Sequence, residues 1–406
     1  MTTNRAAVEI PGLDVPKAKR YSRTRLTVLL VGTAFSVAKL TWFALSGRSG
    51  RLRLATRARV PDPRLATPAY VAVVAVLSWL SSLPLGYLGG LRIERRFELS
   101  KQSDRGWLLD QVKGLVLGLA LQVPAVTGVY WMIRRRPRDW WAWLAAAVVP
   151  AAAILSSLAP VLIMPIFNRF ETLRDETLRA RVRGLAARAG VPIADVFQMD
   201  MSRQSEKPNA FFTGLGTTKR IVLSDTLIDR FEPTEIDAVV AHELGHQVHG
   251  DIWRLIALTG GLGFGAAYAV HRLAPPLVRR TARRSGVEDI ADEASLPLLS
   301  LVMILIGFAA SPIQGAFGRA IERRTDRYAM RLTNDGRAYG STMRRLASLA
   351  LADPDPPAAV VFFLYGHPPI AERIAAAEAF ERSRSAAAET GPISTAKGLS
   401  AATAVR

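Results

Sequence analysis

The chain has 406 residues, half of them hydrophobic and 21% charged, with a formal net charge of +19. Its mean hydropathy of +0.16 and its recurring long apolar runs argue for membrane spans rather than the about two or three soluble domains that this length would otherwise suggest. With no cysteine, disulfides and thiolate metal sites are excluded, so any metal must use His, Asp or Glu. The arginines cluster between apolar runs with no recognition motif, so they read as membrane-flanking charge facing the lipid bilayer, and no nucleic acid is expected as a partner.

Residues 1–24 read as an N-terminal tail. Pro11, Pro16 and the basic stretch KAKRYSRTR precede the first apolar segment, which has the form of a signal anchor. Residues 25–167 form an N-terminal transmembrane region of four runs, each near the roughly 20 residues that cross a bilayer. These are about Leu26–Leu45, Ala66–Leu91, Gly114–Ile133 and Trp140–Met164, the last opened by the WWAW of an interfacial belt. Lys39, inside the first, is expected to snorkel toward the interface.

Residues 168–382 form the next region. TLRDETLRARVRGLAARAG is a helical pattern closed by Gly190. VFQMDM, NAFFTGL and KRIVLSD are short β-like runs separated by polar and glycine-rich turns, which suggests a small sheet. A helix follows from Thr234, with Thr234 and Asp237 resembling a capping box behind Pro233. Two further apolar runs come next, a glycine-rich one at about Ile252–Val270 and a short one at about Leu296–Ala310, before Pro312. GRAIERRTDRYAMRL and HPPIAERIAAAEAFERS are helical, and residues 383–406 read as a disordered tail. The expected fold is mainly α: a polytopic membrane protein of about six transmembrane helices, with a small β-sheet in its second half.

Three of the five histidines fall within AHELGHQVHGD, residues 241–251, on the second half of the helix from Thr234. His242-Glu243-Leu244-Gly245-His246 is an HExxH pattern. Positions i and i+4 share a helix face, so the two imidazoles can bind one zinc ion. Glu243 can then reach a water on the metal, whose pKa zinc lowers to about 7, take its proton and pass it to a leaving amine. His249 reads as a polar residue at the helix end. A catalytic zinc needs a third protein ligand. His271, His367 and the carboxylates remain, and GRAIERRTDRYAMRL offers Glu322 with Asp326 one turn later on the same face. Two spans separate His246 from Glu322, which returns the chain to the same side of the membrane. One span or three would have made a joint site impossible.

With HExxH, the stretches RRFELSKQSDRGWLLDQVK, IMPIFNRFETL, NAFFTGLGTTKRIVLSDTL, RAIERRTD and HPPIAERI resemble the type I CAAX prenyl endopeptidases over roughly residues 70–380. That family consists of integral-membrane zinc metalloproteases that cut near the C-terminus of prenylated proteins. The resemblance implies one zinc ion on His242, His246 and Glu322, with Glu243 as catalytic base. It puts Asp326 behind a zinc-ligating histidine, and Asn209 and Ala210 on an edge strand that holds the substrate backbone by β-augmentation. It has His367 face the scissile carbonyl, supported by Arg373. The implied partners are a peptide or protein substrate, prenylated in the family, and the bilayer. Thr325 and Gly318 depart from the family pattern without removing a ligand, and six spans stand where eukaryotic relatives have seven. The Ala/Arg-rich composition points to a bacterial cell membrane, and the resemblance puts catalysis on its cytoplasmic side. A quality-control protease of the HtpX type shares the zinc core but has fewer spans ahead of it. An inactive membrane scaffold would lack reason to keep Glu243 and all three ligands.

Overall fold

The computed structural model describes residues 9–214 and 219–389. Five of its helices are long and apolar enough to cross a membrane: Val15–Leu45, Pro63–Arg96, Asp104–Arg135, Trp140–Phe167 and Glu293–Thr333. The expected number was six. The run at Ile252–Val270 is helical too, within a 35-residue crossover helix Asp251–Ser285. Arg254 and four glycines within that run lower its hydropathy, and it is not among the five. The crossover helix packs along Trp140–Phe167 and Leu296–Thr333, and His271 lies against the rings of Trp140 and Trp141.

The first helix begins at Val15, where the Asp14 carboxylate accepts from Lys17 N at 2.8 Å. Lys39 does not snorkel. Its Nζ donates to Ser78 Oγ (3.2 Å), Ser81 Oγ (2.9 Å) and Ser82 Oγ (3.3 Å) on the next span. Three hydroxyls on one helix face give the ammonium acceptors inside the bundle, so it need not leave. At the far end of the spans Glu293 is fully buried and ion-paired to Arg57 and Arg134, both at 2.7 Å. Both of its oxygens are engaged, which is the condition for a buried charge to persist.

The long helix Leu296–Thr333 joins what the sequence reading separated. It runs through Pro312 without a break for 38 residues. Proline removes the amide that would bond Phe308 O, but the Ser311 hydroxyl donates to that carbonyl at 2.9 Å. At about 1.5 Å per residue Glu322 stands about 39 Å along the axis from Leu296. That is beyond the roughly 30 Å of a hydrocarbon core, so one rigid element spans the bilayer and carries Glu322 out of it.

Beyond the fourth span the chain forms a four-stranded sheet in the order β1-β2-β4-β3. β1 (Phe170–Thr172), which the sequence reading did not anticipate, pairs antiparallel with β2 (Asp195–Met199). β4 (Arg220–Ser224) is parallel to β2 and antiparallel to β3 (Ala210–Thr213), which ends the sheet. The helix Glu176–Arg188 closes as expected, with Gly190 at φ +67 just past it. The motif helix begins at Pro233, one residue earlier than expected, and its capping box is Glu232 with Glu235. Glu235 Oε2 accepts from Glu232 N at 3.0 Å. Proline at the first helical position has no amide to lose, which moves the cap to the residue before it.

The motif helix buries Ile236, Ala238, Val240, Ala241 and Leu244 against the sheet and the helix Gly336–Ala350. Ile10 is buried in that same core, so the polypeptide ahead of the first span is anchored there. The terminal helix Ile370–Glu389 includes residues 383–389. The rest of the expected tail lies outside the described residues.

Candidate metal centre

Two helices meet at the HExxH segment. Gly245 makes the contact close: a Cβ there would stand 2.9 Å from Thr325 Cγ2 and 3.0 Å from Tyr328 Cδ1 on the long helix. Any side chain at 245 would push the helices apart and pull Glu322 away from the histidines.

His242, His246 and Glu322 each point one ligand-capable atom into a common space, all within 4.8 Å of one another. Glu322 Oε2 is 3.3 Å from His242 Nε2, and Glu322 Oε1 is 3.6 Å from His246 Nε2. The two Nε2 atoms are 3.2 Å apart. Behind them, Asp326 Oδ1 lies 3.0 Å from His242 Nδ1 and Asp251 Oδ2 lies 3.0 Å from His246 Nδ1. If each Nδ1 gives its proton to the carboxylate behind it, both Nε2 lone pairs face each other and a carboxylate. A proton on His242 or a bound cation would satisfy that set. Glu322 Oε2 is also buried with no hydrogen bond of good geometry. Two imidazole nitrogens and a carboxylate oxygen, each backed by a second group, suit a borderline divalent ion such as zinc.

Charge at the site follows the same geometry. Burial by itself disfavours a charged His242, but the Asp326 and Glu322 carboxylates outweigh it and raise its pKa to about 9. Burial and the neighbouring His242 lower His246. Burial pushes the Glu243 carboxyl up to about 7, while the Phe212 backbone on β3 acts the other way. That value suits a group that must both take and return a proton near neutrality.

Asp326 is itself held. Arg373 Nε donates to its Oδ2 at 2.9 Å and Arg373 Nη2 to its Oδ1 at 2.6 Å, and the Tyr339 hydroxyl bonds the same Oδ1. Arg373 Nη2 also lies 3.8 Å from Glu322 Oε2. His367 Nε2 lies 3.4 Å from Glu322 Oε1, on the open side of the cluster. Asn209 immediately precedes β3: its N–H donates to Ser224 Oγ at 2.9 Å and its carbonyl accepts from Ser224 N at 2.9 Å, while Ala210, the first residue of β3, pairs with Leu223. His249 caps the motif helix and packs on Tyr328, away from the cluster.

The sequence reading missed Asp251 and Tyr339. Asp251 is 1% exposed, bonded by Arg324 and 3.4 Å from Thr325 Oγ1. It opens the crossover helix just behind the left-handed Gly250, which turns it back onto His246. A carboxylate five residues after the second histidine was the available signal. Thr325, a departure from the family pattern, packs at Gly245 and lies within reach of Asp251.

Residues 172–381 match Peptidase family M48. The chain belongs to that family. Residues 5–169 match the CAAX prenyl protease N-terminal family, described as five membrane helices. This M48 peptidase is 32% identical over 372 residues to an uncharacterized metalloprotease, YhfN, of Bacillus subtilis, covering 90% of the chain and 85% of the relative. It is 26% identical to CAAX prenyl protease 1 of Saccharomyces cerevisiae, over 91% of the chain and 86% of the relative. Its fold is that of the S. mikatae Ste24p crystal structure, with a TM-score of 0.79 at 24% identity over 89% of this chain and 88% of that one. It is therefore a multi-pass membrane metalloprotease of the CAAX prenyl protease family.

Proposed function

We propose that this protein is a zinc metalloendopeptidase with one zinc ion held by His242, His246 and Glu322. The observation that carries the reading is the convergence of those three side chains within 4.8 Å, around a buried Glu322 oxygen with no good hydrogen bond of its own. Zinc at such a site supplies Lewis acidity at neutral pH. Glu243 is the base: it takes a proton from the attacking water and returns it to the leaving amine. Asp326 and Asp251 fix the tautomers of the two histidines, and Arg373 holds Asp326. Ala210, at the start of the terminal strand β3, pairs with an extended substrate backbone, with Asn209 beside it holding β3 to Ser224. His367 donates to the oxyanion. The substrate is a peptide or protein, prenylated as for the family, cut on the cytoplasmic side of a bacterial membrane.

The test is proteolysis by purified, zinc-loaded protein. A farnesylated C-terminal peptide, the same peptide unprenylated and an unfolded membrane protein are compared. Cleavage of the farnesylated peptide well above the other two supports the prenyl reading. Preference for the unfolded protein supports quality control instead, and no cleavage of any of the three, with zinc bound, defeats the endopeptidase reading.

Metal affinity should depend on pH with a definite sign. In the metal-free protein His242 carries a proton below about pH 9, and zinc must displace it. Apparent affinity is therefore full above that pH and falls about tenfold per unit below it, so about 100-fold between pH 8 and pH 6. Zinc titration against a competing chromophoric chelator reads this directly, and a flat profile would contradict the assigned proton.

Asp251→Asn should weaken zinc binding roughly 10- to 100-fold, as loss of a group behind a metal-bound imidazole does. It would also leave the Arg324 guanidinium without its carboxylate. Zinc retention in the same chelator series measures it, and an unchanged affinity would remove Asp251 from the site.

A further inference from the structure

One turn before Glu322, the long helix holds a second device. Arg319 Nη1 donates to the carbonyls of Val361 at 3.0 Å and Tyr365 at 2.6 Å. Val361 lies in the last turn of the short helix Ala358–Leu364, where its carbonyl also accepts from Tyr365 N at 3.3 Å, and Tyr365 is the residue just past the helix; a cationic side chain can cap carbonyls at such an end. The backbones touch at the same place. A Cβ on Gly318 would stand 2.7 Å from Gly366 O, and one on Gly315 3.0 Å from Tyr365 O. Only glycine at these positions lets residues 365–366 lie on the long helix.

The next residue is His367. Its side chain is 67% exposed, and its ring nitrogen meets Glu322 at 3.4 Å. Among the described residues no hydrogen bond anchors the imidazole. Its place is set by the backbone that leads into it, and that backbone is clamped by Arg319 and seated on Gly318. Both stand within four residues of Glu322 on one continuous helix. The metal ligand and the histidine's mount therefore move as one piece.

We propose that Arg319 and Gly318 are positioning residues that hold His367 over the metal centre. This rests on the reading of His367 as an oxyanion donor. An error of about 1 Å in placing a catalytic group can lower turnover about 100-fold, so the clamp should appear in kcat rather than in KM or metal content.

The experiment is a double-mutant cycle on the full-length, zinc-loaded protein, using the peptide that the wild-type cleaves. Arg319→Gln should lower kcat about 10- to 100-fold, with KM and zinc content nearly unchanged, and Arg319→Lys should recover part of the loss. His367→Ala should lower kcat about 100- to 1000-fold. The double variant should be no slower than His367→Ala alone, because without the imidazole the clamp has nothing to place. Losses that multiply would overturn the proposal. Normal turnover by His367→Ala would instead defeat the oxyanion reading on which it rests. Gly318→Ala repeats the cycle without removing a charge and should show the same non-additivity. If both Arg319→Gln and Gly318→Ala lose zinc or fail to fold, the pair belongs to the structural frame and the proposal falls.

Discussion

Glu243→Gln is expected to abolish peptide hydrolysis while leaving zinc in place. The carboxylate is on the motif helix between the two histidines but is not one of the three groups that converge. Burial raises its pKa to about 7, so near neutrality it can accept a proton at one step and release it at the next. Glutamine keeps the shape and removes that capacity. Positioned proton transfer contributes about 100- to 10,000-fold, and here one residue serves both the attack and the departure, so turnover should fall to the upper end of that range. Metal analysis of the purified variant decides the role. Zinc lost in proportion to activity would make Glu243 a ligand and break the assignment.

The pattern HExxH was legible because helix geometry alone brings positions 242 and 246 together, whatever the tertiary fold. Glu322 was reached by counting two apolar runs after His246; only the second is long and apolar enough to count as a span, and the outward leg is the 35-residue crossover helix, which is too polar to be among the five. The groups behind the histidines were harder. Spacing put Asp326 on the face of Glu322 and the family resemblance put it behind a histidine, whereas Asp251 depends on a left-handed glycine at 250, a turn whose direction no local pattern gives. Tyr339 comes from a separate helix packed on the motif helix, and only the three-dimensional arrangement brings it to Asp326.

The fold shows the same division between local and tertiary information. Three of the four strands and the motif helix were legible in the sequence pattern, and four of the spans in the length of their apolar runs. The extent of the long helix did not, because Pro312 reads as a stop until Ser311 is seen to satisfy the freed carbonyl. Lys39 read as a snorkelling side chain because the three serines that receive it lie on another helix. The crossover helix shows the limit of hydropathy. It packs against the fourth span, where Gly260 lets Val149 approach closely, and the glycines of this stretch also lower its hydropathy.

Glu322→Ala should remove zinc and activity together. Asp326 is the only nearby carboxylate on the same helix face, and the structure shows why it should not substitute. It lies at His242 Nδ1, on the opposite side of the ring from the converging Nε2 atoms. Two bonds from Arg373 and one from Tyr339 hold it there. Moving it to the metal would strip His242 of its orienting partner and leave the Arg373 charge buried and unpaired, which costs several kcal/mol. Two histidines alone make an incomplete site, short of the three protein ligands of a catalytic zinc. Glu322→Ala should therefore copurify with little zinc and show turnover at the detection limit, while Glu322→Asp, one methylene shorter, should keep part of both. Zinc content by metal analysis, alongside a thermal unfolding curve to exclude general misfolding, measures this. A folded Glu322→Ala protein with full zinc would mean that the third ligand lies elsewhere, and His367, 3.4 Å from Glu322 Oε1, would be the first side chain to examine.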